Sequence, residues 1–253
     1  MNGFEKHGLT HTSPSQINMY SSAPCAWAAK YLAKRKFRYS NAAKAGVYIE
    51  DAVAKVLCND ISLEDAVFQA KERYSKEISL GGTPADINRG EAIEGMITQA
   101  VESLSEYGKP DFVKSIAKKY QQHKIELICN GDNWRLPIIG YVDFLYPDQN
   151  LIVDLKTTMR MPSEMSYEHF LQGVIYKKAS GMDVRFLYVT GKKSKFFDID
   201  GGEKVLADIK SILNRQEKYL RHDKETILAT VPVNINTFYW SGDEETRKEL
   251  YGL

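Results

Sequence analysis

Three side chains within fourteen residues offer hydrolytic chemistry. The segment Gly140-Tyr141-Val142-Asp143-Phe144-Leu145-Tyr146 leads into Pro147-Asp148-Gln149-Asn150, which is a turn by composition. It returns as Leu151-Ile152-Val153-Asp154-Leu155-Lys156-Thr157. A hairpin centred on that turn sets Asp143 opposite Asp154 and Tyr141 opposite Lys156. Directly opposed residues hold their Cβ atoms roughly 5 Å apart, and two like charges so placed repel. A divalent cation relieves that repulsion, because carboxylates are hard oxygen ligands. Lys156 follows Asp154 by two residues and shares its face. Val142, Phe144, Val153 and Leu155 form the opposite, apolar face, suited to a core. The competing reading is an exposed hairpin carrying a cross-strand ion pair. The literal Pro147-Asp148 sits in the turn and is set aside as a metal-binding pair.

Other candidates surround this segment. Gln172 and Tyr176 lie four apart, on one helix face, with His169 on the same stripe. Glu50 borders the apolar stripe of Ile49, Val53, Val56 and Leu57. A carboxylate pointing toward a core needs a partner, and a metal ion qualifies. Glu126 is a reserve candidate for the same role. Three basic clusters are candidate phosphate contacts: Lys30, Lys34, Arg35, Lys36 and Arg38 with interleaved aromatics; Lys192, Lys193 and Lys195; and Lys114, Lys118, Lys119 and Lys124. Phe238-Tyr239-Trp240 reads as C-terminal packing, with base stacking as the alternative.

Elements that position these residues follow from periodicity. Helices are expected from Ser13, as a cap, to about Leu32, then over Lys44–Leu57, Ser62–Ser79 and Asp86–Tyr107, with a shorter one over Phe112–Tyr120. Strands are expected at His123–Cys129, Trp134–Tyr146 and Leu151–Thr157. A helix over Ser163–Ser180, a strand at Val184–Thr190, a further strand at Lys195–Ile199 and a last helix from Gly202 to about Arg221 complete the order. This predicts an α/β (α+β) fold with a helical N-terminal half.

Composition narrows the function classes. The chain has 253 residues, 43% hydrophobic and 26% charged, enough for a sizeable core. Its net charge of +1, from 34 basic and 33 acidic residues, excludes a global basic field, so any nucleic-acid contact is local. Three cysteines, Cys25, Cys58 and Cys129, with no CxxC pair, speak for a reducing compartment and against a structural zinc site. No apolar run is long enough to span a membrane, and the first twelve residues lack an apolar stretch, so a cytoplasmic location is expected. Neither GxxxxGK[ST] nor GxGxxG occurs, and no nucleophile–His–Asp arrangement is visible.

The combined pattern resembles the PD-(D/E)XK nuclease superfamily, and within it the RecB-like and lambda-exonuclease-like group. Gly140-x-x-Asp143 followed by Asp154-x-Lys156 matches its catalytic strands, and Gln172-x-x-x-Tyr176 its following helix. Gly46-Val47-Tyr48-Ile49-Glu50 is similar to its Gly-x-x-x-His, with Glu50 in the histidine position. Ser13-Pro14-Ser15-Gln16-Ile17 and Pro24-Cys25-Ala26-Trp27 resemble its opening helix. The likeness spans about residues 13–200.

The resemblance implies a restriction-endonuclease-like core, a central mixed sheet flanked by helices, as one nuclease domain over 1–253. The helical segment 59–120 is a candidate cover for its cleft. It implies a stand-alone Mg²⁺- or Mn²⁺-dependent DNA exonuclease using one or two ions, from a phage or bacterium, acting in recombination, repair or turnover. Asp143, Asp154, Lys156, Gln172 and Tyr176 would be catalytic. Glu50, Asp143, Asp154 and the Leu155 carbonyl would hold metal. Hydrolysis would leave 3′-hydroxyl and 5′-phosphate ends. Expected partners are single-stranded DNA or duplex ends, and a recombination or single-strand-binding protein. No iron–sulfur cluster is expected, because no cysteine follows Cys129. Two alternatives remain: a structure-selective or restriction-type endonuclease of the same fold, and an inactive nucleic-acid-binding module.

Overall fold

A computed structural model describes residues 2–112, 122–127, 136–234, 236–240 and 244–252. The expected Phe112–Tyr120 helix, Lys114, Lys118, Lys119, Cys129 and Trp134 lie wholly or almost wholly outside the described residues. Among the described residues the chain begins with α1 (Gly3–Lys6), α2 (Pro14–Ser22), α3 (Pro24–Tyr31), α4 (Asn41–Leu57), α5 (Leu63–Ile78) and α6 (Pro84–Leu104). Strands β1 (His123–Leu127), β2 (Ile138–Val142), β3 (Phe144–Tyr146) and β4 (Leu151–Thr157) follow. Then come α7 (Tyr167–Ser180), β5 (Asp183–Val189), β6 (Ser194–Asp198), α8 (Glu203–Tyr219), α9 (Lys224–Thr230) and α10 (Glu244–Tyr251). This is a mixed α/β fold with a helical N-terminal half. None of these helices is long and apolar enough to cross a membrane.

Local chemistry sets the boundaries. Ser13 caps α2, its hydroxyl accepting from the Gln16 N–H at 3.2 Å. The single helix expected from Ser13 to Leu32 is two helices. Pro24 lacks an N–H and cannot continue α2, and Ala23 before it leaves helical geometry at φ −144°, ψ 66°. The next helix begins three residues earlier than its apolar stripe suggests, because Ser40 accepts from the Ala43 N–H. Ser166, not Ser163, caps α7, and Gly181 closes it in the left-handed region at φ 72°. Two short helices, α9 and α10, extend the chain beyond the last expected helix.

Strands β3, β4, β5 and β6 form one sheet in that order; β1 and β2 form a separate antiparallel pair. β3 runs antiparallel to β4, with Phe144 opposite Val153 and Tyr146 opposite Leu151. α7 carries the chain from β4 to its parallel neighbour β5, where Asp154 faces Phe186 and Lys156 faces Tyr188. β6 returns antiparallel.

Both sheet faces are covered, which explains the near-continuous apolar runs of β4 and β5. Leu151, Val153, Leu155, Leu187 and Val189 enter one core with α4, α5 and α6. Ile152, Val184, Phe186 and Tyr188 enter the other with α2, α3, α7 and α8. α5 and α6 of the 59–120 segment pack against α4, and α6 also reaches β5 and β6.

The expected continuous strand 134–146 breaks at Asp143. β2 leaves the β4 edge there and pairs with β1, so Tyr141 stands opposite Lys124 rather than Lys156. The break also separates two residues expected on one face. Val142 is buried in the α7 core and Phe144 in the α4 core. A kink of one residue between two ladders reverses the alternation that an unbroken strand would keep.

Candidate active site

The bend at Asp143 builds the site. Asp143 is 8% exposed and Asp154 1%. Among the described residues no strand neighbour continues the ladder past Phe144, and the Leu155 N–H donates instead to Asp143 Oδ2 at 2.9 Å. A strand residue directs its N–H and C=O to the same edge. The Leu155 carbonyl therefore also faces the edge occupied by Asp143.

α4 supplies the third carboxylate. Gln122, just ahead of β1, donates through Nε2 to Glu50 Oε1 at 2.9 Å and to Asp143 Oδ1 at 2.7 Å. Glu126, the reserve candidate, is exposed and pairs with Lys124 at 3.1 Å. Lys156 forms an ion pair with Asp154 Oδ1. That oxygen accepts no directed hydrogen bond.

α7 fixes the other side. Gln172 Nε2 donates to Asp154 Oδ2 at 2.7 Å and contacts the Tyr176 hydroxyl at 2.8 Å. The Tyr176 hydroxyl donates to the Tyr141 carbonyl at 2.7 Å, tying α7 to β2. Its ring edge closes on Gly140: a Cβ there would stand 2.4 Å from Tyr176 Cε1. The helix spacing and the glycine are thus two halves of one contact. His169 pairs with the Tyr188 hydroxyl and stacks on Phe186, ring centroids 5.8 Å apart and 13° from parallel. Lys156 Nζ lies 5.4 Å from the centroid of the same Phe186 ring.

Three carboxylates share one ammonium, and their proton affinities show it. Burial, then Asp154, pushes Glu50 up to about 7. Burial, then Asp154 and Glu50, lifts Asp143 well above the carboxylate range. Burial raises Asp154 too, against the pull of Lys156 and Gln172. Burial disfavours the Lys156 charge, but Asp154 and Asp143 outweigh it and raise its pKa. Burial, then Lys156, lowers His169 to about 4, so its imidazole is neutral at pH 7.

The donor set fits a hard divalent cation: carboxylates from Glu50, Asp143 and Asp154, with the Leu155 carbonyl facing the same edge. Among the described residues no group of three or more His, Cys, Asp or Glu side chains is already spaced as a metal cage. Gln122 and Lys156 account for the spacing. The amide sits between Glu50 and Asp143, and the ammonium takes Asp154 Oδ1. Gln122 carries no sequence signal of its own; it is visible only through the β1–β2 register, which sets position 122 against Asp143 when extended by one pair.

The basic clusters are placed differently. Lys192 and Lys193 are exposed in the turn after β5, at the sheet end where Lys156 and Thr157 stand. Their backbone N–H groups donate to Thr190 Oγ1. Lys195 donates to the Ser163 carbonyl. Lys34, Arg35, Lys36 and Arg38 are exposed in the loop after α3, and Arg35 pairs with Glu249 at 2.7 Å. Lys30 is half-buried over the Tyr31 ring. Phe37 packs on Trp240, which is buried, whereas Phe238 is exposed.

No family model matches the chain, and no curated protein matches it. Among solved structures the chain is similar to the one described as "Crystal structure of SSO0001". The two are 15% identical, the match covers 70% of this chain and 86% of that one, and the TM-score is 0.37.

Proposed function

We propose that this chain is a metal-dependent DNA exonuclease that hydrolyses phosphodiester bonds. One observation carries the reading: Asp154 and Lys156 of β4, Asp143 at the bend between β2 and β3, and Glu50 of α4 converge at one buried point that Gln172 and Tyr176 hold in place. An exposed hairpin ion pair, the competing reading of the sequence, would not leave Asp154 buried to 1%.

Glu50, Asp143, Asp154 and the Leu155 carbonyl would hold Mg²⁺ or Mn²⁺. A bound ion supplies an acidified water and offsets charge on the phosphoryl oxygens. The chain's own groups do the rest. Lys156 stays protonated because two carboxylates favour its charge, so Nζ is a donor for the attacking water and for charge developing on the phosphate. Gln172 fixes Asp154 Oδ2 and leaves Oδ1 toward Lys156. Neutral His169 adds no second positive charge beside that lysine.

The test uses end-labelled linear DNA, single- and double-stranded, a covalently closed circle, and Mg²⁺ or Mn²⁺. Wild type should degrade linear DNA and spare the circle, while Lys156→Ala and EDTA-treated samples are inert. Removing one preorganised charge stabiliser of this kind costs about 10²–10³ in rate. Cutting of the circle would make the protein an endonuclease instead. Survival of every DNA form with both metals would refute the catalytic assignment.

A further inference from the structure

The two-stranded ribbon of β1 and β2 continues outward from the carboxylates, and one of its faces is built unlike the other. Side chains alternate along a strand. Ile138, Gly140 and Val142 are buried toward the core, with the Tyr176 ring against Gly140. The opposite face carries Ile139, Tyr141 and then Asp143 on one strand. The partner strand sets Glu126, Lys124 and then Gln122 beside them. Gln122 and Asp143 are hydrogen-bonded within the site. The next pair out is Lys124 with Tyr141, and both side chains are exposed, Tyr141 to 50%. Lys124 also pairs with exposed Glu126, an ion pair of the kind that contributes little and exchanges readily.

We infer that this face is a binding track for single-stranded DNA, with Tyr141 stacking on a base and Lys124 contacting the neighbouring phosphate. The inference rests on the nuclease reading for the identity of its ligand. Two residues along a strand advance about 6.8 Å, the scale of one extended nucleotide, so the pair sits one step from the carboxylates. An aromatic face accepts any unstacked base, and an adjacent cation tracks the backbone. A duplex keeps its internal bases stacked on one another and offers this tyrosine none, so the track selects single strands or frayed ends. The Tyr141 side chain is free to change: its carbonyl, not its ring, holds Tyr176.

The test measures fluorescence anisotropy of a labelled oligothymidine and a blunt duplex in EDTA, with wild type, Tyr141→Ala, Tyr141→Phe and Lys124→Ala, each checked for an unchanged melting temperature. Tyr141→Ala should weaken single-strand binding roughly tenfold, and Tyr141→Phe should restore it. Lys124→Ala should weaken it and reduce the slope of affinity on log salt by about one. Single-strand binding unchanged in Tyr141→Ala, or lost equally for duplex, overturns the track, as does wild type that binds no single strand. Cleavage assays separate the two readings. A wild type that binds through Tyr141 but cuts nothing retires the nuclease and keeps the track; one that cuts while Tyr141→Ala binds normally does the reverse.

Discussion

Replacing Glu50 with glutamine is expected to remove a loss of stability that develops as pH rises. Burial and Asp154 lift the Glu50 pKa from 4.5 to about 7 in the folded protein. The sign follows from linkage: the folded state binds the proton more tightly than the unfolded state, so stability is fully present below about pH 4.5 and falls as pH climbs through 7. Each tenfold change in proton affinity is about 1.4 kcal/mol, so the full effect is about 3 kcal/mol. His169 acts in the opposite sense. Its pKa is held at about 4, so its contribution is present above about pH 6.5 and lost as pH falls toward 4. Asp143 and Asp154, which burial also raises, act in the same sense as Glu50. The raw pH curve of wild type therefore mixes several trends, and the difference from Glu50→Gln reports the part that depends on the Glu50 charge. Glutamine keeps an oxygen for the Gln122 donor, so the hydrogen bond survives the change. Urea unfolding in EDTA at about pH 4 and about pH 8 should show near-equal stabilities at the lower pH. At the higher pH the variant should be more stable by about 3 kcal/mol. Adding Mn²⁺ at the higher pH should narrow or reverse that gap, because only wild type offers the carboxylate. A constant difference across pH, or a variant less stable at pH 8, would refute the claim that Glu50 ionises at a cost.

Two further substitutions probe the scaffold. Gln172→Leu leaves Asp154 Oδ2 and the Tyr176 hydroxyl without their shared amide, a cost of about 1–3 kcal/mol in urea unfolding, and cleavage should fall further than stability explains. Gly140→Ala drives a methyl into the Tyr176 ring and should cost about 1–3 kcal/mol by thermal unfolding, with Tyr176→Leu in the same chain recovering part of it.

The sequence made the hairpin legible because its turn is unambiguous: Pro147-Asp148-Gln149-Asn150 fixes a register, and that register holds for Phe144–Tyr146 against Leu151–Val153. Helix spacing puts Gln172 and Tyr176 on one face, and their place after the hairpin, in an order that resembles the family's, is what singles them out. The bend at Asp143 was not, because apolar and aromatic residues continue unbroken on both sides of it, and nothing local signals a change of partner strand. Tyr141 was consequently assigned to Lys156, when β1 claims it. Pro24 was a readable stop, and reading through it merged two helices. Gln122 belongs to a different class of miss. A single amide acquires its role only from a pairing register between segments distant in sequence.

Val142 anchors in one core and Phe144 in the other, and Asp143 is the only residue between them. The carboxylate is thus located like a surveyor's mark, sighted from two fixed bodies rather than hung on one. A shift of one core relative to the other would act on this residue's backbone from both sides. The precision of the site is inherited from bulk packing on both sides of the sheet. Much of the chain's apolar interior therefore acts as its foundation.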